Sequence, residues 1–302
     1  MPVTRSVKFT FIASLVLLAL AGAARAETVP FAFDRAIYAD EKEVALVAPE
    51  GVACNDAGDI VVADTGNGRL VFYRYTGGAL TGGTPMKPAG LAYPVRVQFD
   101  SKGNILVLDR KTRKILRIDR TGAVLGTIEL KSGGSIMNSL PVAFKLDGAD
   151  NVYVIDGVGR RLVVFDPAGT VTRQVDLPKG MGFSDVHVDI AGTIYVLDGS
   201  DAVIWAMEKS ATAFKPLTAS MKDKMNFPVY ITGSKGKLFV VDQAGNGIVV
   251  LGTDGSYQGR QLAIGWGEGL LYYPAQLCMN AVGEAFIADR SNNRVQIFNT
   301  AK

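Results

Sequence analysis

The sequence predicts an all-β chain folded as a six-bladed β-propeller of four-stranded antiparallel blades, with an N-terminal strand completing the last blade. Three observations predict it. A short apolar run ending in aspartate recurs six times, at Asp64, Asp109, Asp156, Asp198, Asp242 and Asp289, with spacings of 45, 47, 42, 44 and 47 residues. A period of about 45 residues with four short strands per unit suits a propeller, which has roughly 4 to 8 blades. The runs themselves, such as Ile60-Val61-Val62-Ala63 and Leu238-Phe239-Val240-Val241, are apolar at every position. A strand with one wet face alternates, so an unbroken run bounded by turn residues belongs to a sheet covered on both faces. The third observation concerns the chain ends. The fourth strand of blade 5 starts near Tyr257, 15 residues after Asp242, and the same offset from Asp289 falls at 304, past residue 302. The stretch Val29–Tyr38, with Phe31 and Phe33, has strand composition and fits the missing position, which removes an open sheet edge and closes the ring.

In chain order, residues 1–26 read as a secretory signal peptide. Arg5 and Lys8 form the positive region, Phe9 to Gly22 the apolar region, and Ala24-Arg25-Ala26 offers small residues for cleavage. The apolar segment is short against the ~20 residues of a membrane span, and no other segment approaches that length. The expectation is therefore an exported protein, periplasmic or extracellular, without stable membrane insertion. The whole chain has 32 basic and 29 acidic residues; removing Arg5, Lys8 and Arg25 leaves 29 against 29. A neutral domain lacks the basic footprint that nucleic-acid binding requires. Residues 27–302 are expected to form one propeller domain, with blade cores near 49–80, 94–130, 141–177, 184–217, 228–262 and 274–298 plus 29–38. Five units open with proline, at Pro49, Pro94, Pro141, Pro228 and Pro274, and Ser184 stands in for the other. Hairpin turns such as Asp119-Arg-Thr-Gly122 and Asp166-Pro-Ala-Gly169 lead to a more polar fourth run.

The segments Pro49-Glu-Gly-Val-Ala53, Ile60 to Arg69 (IVVADTGNGR) and Ala288 to Phe298 (ADRSNNRVQIF) resemble NHL repeats. The resemblance covers nearly all of the chain after residue 26. It is strong in blades 1, 3 and 6 and fair in blade 2, where Lys114 replaces the repeat arginine. It is eroded in blades 4 and 5, where Val203 and Gly247 stand there. It implies the propeller architecture and little about function, since such scaffolds host many activities. The pairs Asp64/Arg69, Asp156/Arg161 and Asp289/Arg294 recur from blade to blade, whereas a catalytic set need occur only once. They are read as loop-pinning structural pairs, with Asp109, Asp198 and Asp242 in the same role.

Cys54 and Cys278 fall on the innermost strands of blades 1 and 6, which closure makes neighbours. They lie four and five residues before Gly58 and Gly283, so their parity differs and they occupy opposite sheet faces. Facing surfaces of adjacent blades are opposite faces, so the thiols either confront each other or point apart. Both a disulfide and two buried thiols stay open. His187 is the only histidine. A single histidine does not match the multi-histidine metal site of peptide-amidating propeller lyases, which counts against that activity, and no Gly-x-Ser-x-Gly elbow accompanies it. It is read as a packed or channel-lining residue, and no catalytic residue is assigned.

Just after each opening proline the chain places Glu50, Arg96, Asp185, Tyr230 and Gln276, which vary where the scaffold does not. These are the candidate binding residues at the channel mouth, with solvation of the rim as the plainer reading. Three functions remain. The first is a non-enzymatic exported scaffold binding a protein partner, most simply as a monomer and with no cofactor. The second is a calcium-dependent lactonase of the gluconolactonase kind, which needs an acid and amide cluster such as Glu50, Asp185 and Gln276. The third is carbohydrate or cell-wall binding, for which Tyr93, Tyr230, Tyr272 and Tyr273 are the candidate aromatics. The first is preferred.

Overall fold

The computed structural model describes residues 1, 29–131, 138–179 and 182–301. Six four-stranded antiparallel sheets follow one another around a ring. In every blade the second strand ends on the repeated aspartate, from Asp59–Asp64 in blade 1 to Glu284–Asp289 in blade 6. Blade 6 is completed by Ala32–Ile37, which pairs antiparallel with Arg294–Asn299. The signal sequence expected at 1–26 lies outside the described residues. Among the described residues no helix is long and apolar enough to cross a membrane.

The core is six apolar layers, one at each junction between neighbouring blades. This accounts for the unbroken runs. All of Asp59–Asp64 is buried. Ile60 and Val62 pack toward blade 6, while Val61 and Ala63 pack toward blade 2. Successive side chains of a strand point to opposite faces, so a sheet between two others needs apolar residues at both parities.

The repeated aspartates are almost fully buried and each holds backbone amides of its own loops. Asp64 accepts from Val47 N, Asn67 Nδ2 and Arg69 Nε at 2.7–2.8 Å. Asp289 repeats the pattern with Tyr272 N, Asn292 Nδ2 and Arg294 Nε. Asp156 holds Leu140 N and pairs with Arg161 at 3.1 Å. Asp109 holds Ala92 N and Tyr93 N at 2.6 Å without an arginine, and Lys114 pairs instead with Glu129. Blade 5 shows why the arginine could be lost at Gly247. Arg260, from the fourth strand, enters the space above that glycine and pairs with Asp242. In blade 4, Asp198 accepts, among the described residues, from Ser200 N and Asp201 N.

Two connections depart from the regular blade. The Gly-rich stretch after residue 77 contains the eight-residue fourth strand Ala79–Met86, which extends blade 1 beyond residue 80. There Gly83, at φ 107°, lets the strand approach the backbone of Asp40 and Glu41. Around 209–227, Met221 and Met225 are buried in the layer between blades 4 and 5. The fourth strand of blade 4 is reduced to Lys215–Pro216.

The cysteines confront each other. Cys54 and Cys278 form a disulfide joining blades 1 and 6, with Cα atoms 5.8 Å apart.

Candidate functional site

The first strands of all blades run along the central channel from a proximal mouth, where each begins, to a distal end. The five variable residues lie on or beside these strands, and all are buried. Their partners are mostly in other blades. Gln276 reaches past Gly51 to blade 2, where its Nε2 donates to Val97 O at 2.9 Å and its Oε1 accepts from Val97 N at 3.4 Å. A Cβ on residue 51 would lie 3.2 Å from that Oε1, so the bridge depends on glycine. Asp185 accepts from Ile231 N of blade 5 at 2.8 Å. Arg96 spans the channel. It donates to Val95 O and Glu50 O near its own blade and to Val229 O of blade 5 at 3.1 Å, and its guanidinium lies 5.6 Å from the Tyr230 ring centroid.

Arg96 and Tyr230 therefore form a plug that divides the channel. On the proximal side is a cavity of about 260 Å³ lined by Glu50, Arg96, Arg110, Ser184, Phe227 and Arg290. On the distal side is one of about 240 Å³ that includes Lys145, His187, Tyr230, Thr232 and the disulfide.

The proximal mouth is dominated by guanidinium groups. Arg110 Nη2 donates to Glu50 Oε2 at 3.0 Å, and Arg290 Nε lies 3.3 Å from Glu50 Oε1. The carboxylate is buried, whereas the Arg110 and Arg290 side chains are 55% and 36% exposed. Two guanidinium groups thus face one carboxylate, and Arg96 lines the same cavity. Arg110 and Arg290 were not among the sequence candidates, yet a signal for them exists. The residue after each repeated aspartate, namely Thr65, Arg110, Gly157, Gly199, Gln243 and Arg290, varies as freely as the residue after each proline. Deeper in, burial raises the Asp185 carboxyl to about 6, partly offset by the Arg96 charge and the Ile231 amide. Its Oδ1 has no hydrogen-bond partner.

This donor set does not suit calcium, which takes 6–8 oxygen ligands. Both oxygens of Glu50 face guanidinium groups, and the Asp185 carboxyl is buried with the Arg96 charge acting on it. Among the described residues no three His, Cys, Asp or Glu side chains gather where they could hold a metal ion.

Beside the mouth, aromatic side chains stand in solvent. Phe227 is 55% exposed and held at φ 89°, a conformation that costs a bulky residue roughly 1–3 kcal/mol. Trp266 is 75% exposed and packs edge-on to Tyr272, which packs edge-on to Tyr273. Tyr272 O accepts from Ser291 N, which sets this cluster next to Arg290. Of the other tyrosines considered for sugar binding, Tyr230 is buried in the plug and Tyr93 lies under Arg110.

The NHL repeat family model matches residues 46–73, the first strands of blade 1. No curated protein sequence matches the chain. Among solved structures, a gluconolactonase from Xanthomonas campestris superposes with a TM-score of 0.66 at 15% identity, covering 92% of this chain and 97% of the other. A streptogramin B lyase gives 0.63 at 16% identity, covering 84% and 94%. A chain of a nidogen/laminin complex gives 0.57 at 15% identity, covering 76% and 91%. At such identities these likenesses show the fold, which enzymes and a component of a protein complex share.

Proposed function

We propose that this chain is an exported, non-enzymatic NHL-type propeller, periplasmic or extracellular, that binds a protein partner at its proximal face. The observation that carries the reading is the mouth itself: exposed Arg110 and Arg290 beside an exposed aromatic cluster. Arginine and large aromatics are the residue types in which binding energy concentrates at protein interfaces. The partner chemistry that fits is an acidic side chain entering the mouth, where paired guanidinium groups bind carboxylate in a fork. Apolar residues of the partner would flank it against Phe227 and Trp266. The guanidinium groups that face both oxygens of Glu50 favour an acidic partner over calcium at this mouth.

The test is capture of partners from the native envelope fraction by the tagged protein, compared with its Glu50→Gln/Arg110→Gln/Arg290→Gln variant. Glu50 is included so that no carboxylate is left buried without its cations. The expected outcome is a stoichiometric partner retained by the wild type and weakened at least about tenfold in the variant. An Ile190→Ser control alters the distal face, where Ile190 is fully exposed, and retains the partner. Capture that survives the triple substitution, or hydrolysis of lactones with calcium added, overturns the proposal.

A further inference from the structure

The distal chamber is separated from the mouth by the Arg96–Tyr230 plug and takes no part in the reading above. Its polar groups are unusual for an ordinary channel wall. Lys145, half-buried on the first strand of blade 3, donates to Thr232 Oγ1 at 3.2 Å and to Tyr230 OH at 3.4 Å. An ammonium has three donors, so one stays unused by these contacts. Lys145 Nζ also lies 5.5 Å from the Tyr230 ring centroid, and among the described residues no carboxylate lies within ion-pair distance of it. Asp185 is the nearest negative influence, and it sits on the same strand as His187 with its own carboxyl buried.

His187 supplies the second feature. Its ring is 7% exposed, stacks on Tyr195 at 5.9 Å, and packs against Gly233, where a side chain would collide with it. Nδ1 has no hydrogen-bond partner. Burial, reinforced by the positive charge of Lys145, holds its pKa well below the usual imidazole range, so the ring is neutral near pH 7. An unpaired imidazole nitrogen and an ammonium with a spare donor thus share one cavity whose other walls include Val52, Val97, Leu277 and Met279.

We infer that the distal chamber is a second binding site, for a small organic monocarboxylate whose oxygens meet Lys145 and Thr232 and whose apolar body lies against the hydrophobic walls beside His187. The cavity of about 240 Å³ admits a carboxylate carrying a group of phenyl size. A carboxylate completes the missing charge of Lys145, and charge-assisted hydrogen bonds to it exceed those of a neutral ligand.

His187 makes the test unambiguous, because as the only histidine it gives the only imidazole resonances of an untagged protein. Benzoate is titrated into uniformly labelled protein while those resonances are followed by NMR. The expected result is a saturable shift, absent with benzamide, which has the same shape and no charge. Lys145→Met weakens binding about tenfold or more, and Thr232→Val weakens it less. No saturable shift with benzoate, an equal response to benzamide, or unchanged affinity in Lys145→Met overturns the inference. Should Lys145→Met fail to fold, the benzamide comparison and Thr232→Val decide the matter on stable protein. The result is independent of partner capture at the proximal face.

Discussion

Blade 6 and blade 4 depart from the repeat in opposite directions. Blade 6 and its junction with blade 1 are held several times over. A strand crosses from the N-terminal segment, Cys54 binds Cys278, and Asp289 is saturated by Tyr272, Asn292, Arg294 and Gln296. Blade 4 has a two-residue outer strand and an aspartate that, among the described residues, is held by the nearby amides of Ser200 and Asp201. It also contributes three buried polar atoms without partners: Asp185 Oδ1, His187 Nδ1 and Trp205 Nε1. Native structures seldom leave such groups unsatisfied, and those that persist concentrate where function resides. Reinforcement is thus gathered at the seam where the ring could open. Blade 4, two blades from blade 6, has instead a short outer strand and is held in place by its neighbours.

The largest test of this contrast removes the seam strand. Deleting residues 27–40 leaves the Arg294–Asn299 edge unpaired and uncovers Phe298, and calorimetry is expected to show no cooperative transition. A stable, cooperatively melting product breaks the comparison. Next, Cys54→Ser/Cys278→Ser releases a link across 224 residues. The chain-entropy model puts the loss at about 5 kcal/mol, to be read from denaturant unfolding with and without the substitutions. A loss under about 1 kcal/mol would mean that strand pairing alone holds the seam.

The smallest effect concerns blade 4 and depends on pH. The Asp185 carboxyl is raised from 3.8 to about 6, so its contribution to stability is full below the unfolded value and is lost as pH rises through 6. His187 is lowered below 6.5, so its contribution is full above that value and is lost as pH falls. The two slopes oppose each other in the native protein. Asp185→Asn is expected to steepen the loss of stability on acidification from neutral pH. His187→Leu removes the opposing slope, and the contribution of Asp185 to stability falls by about 2 kcal/mol as pH rises from 4 to 6. Unfolding curves across that range, parallel in all three proteins, would show that neither group is uncompensated.

Much of this was legible in the sequence because it repeats. Six aspartates behind apolar runs announce six blades, and a missing fourth strand announces the exchange at Ala32–Ile37. Features that depend on one residue crossing between strands were not legible. Arg260 replaces the lost arginine of blade 5 from a strand away, and Gln276 reaches Val97 only because Gly51 leaves a gap. Residue parity placed the cysteines on opposite faces but could not turn those faces toward each other. Lys145 looks like any strand lysine until the channel encloses it. Arg110 and Arg290 were readable by comparing the residue after each aspartate, a position that a search confined to the opening prolines passes over.

The exchanged strand also dictates the order in which the molecule can be made. Ala32 pairs with Asn299, so this segment waits for a partner made 267 residues later. Such distant pairing carries a large loop-closure entropy and slow, late ring completion. Until then the growing chain presents the apolar sides of Phe31 and Phe33 and an unpaired edge to its surroundings, the conditions under which nascent sheets associate with one another. An arc that has not yet closed is thus the form most exposed to association, and pairing of Ala32–Ile37 with Arg294–Asn299 is what ends that exposure.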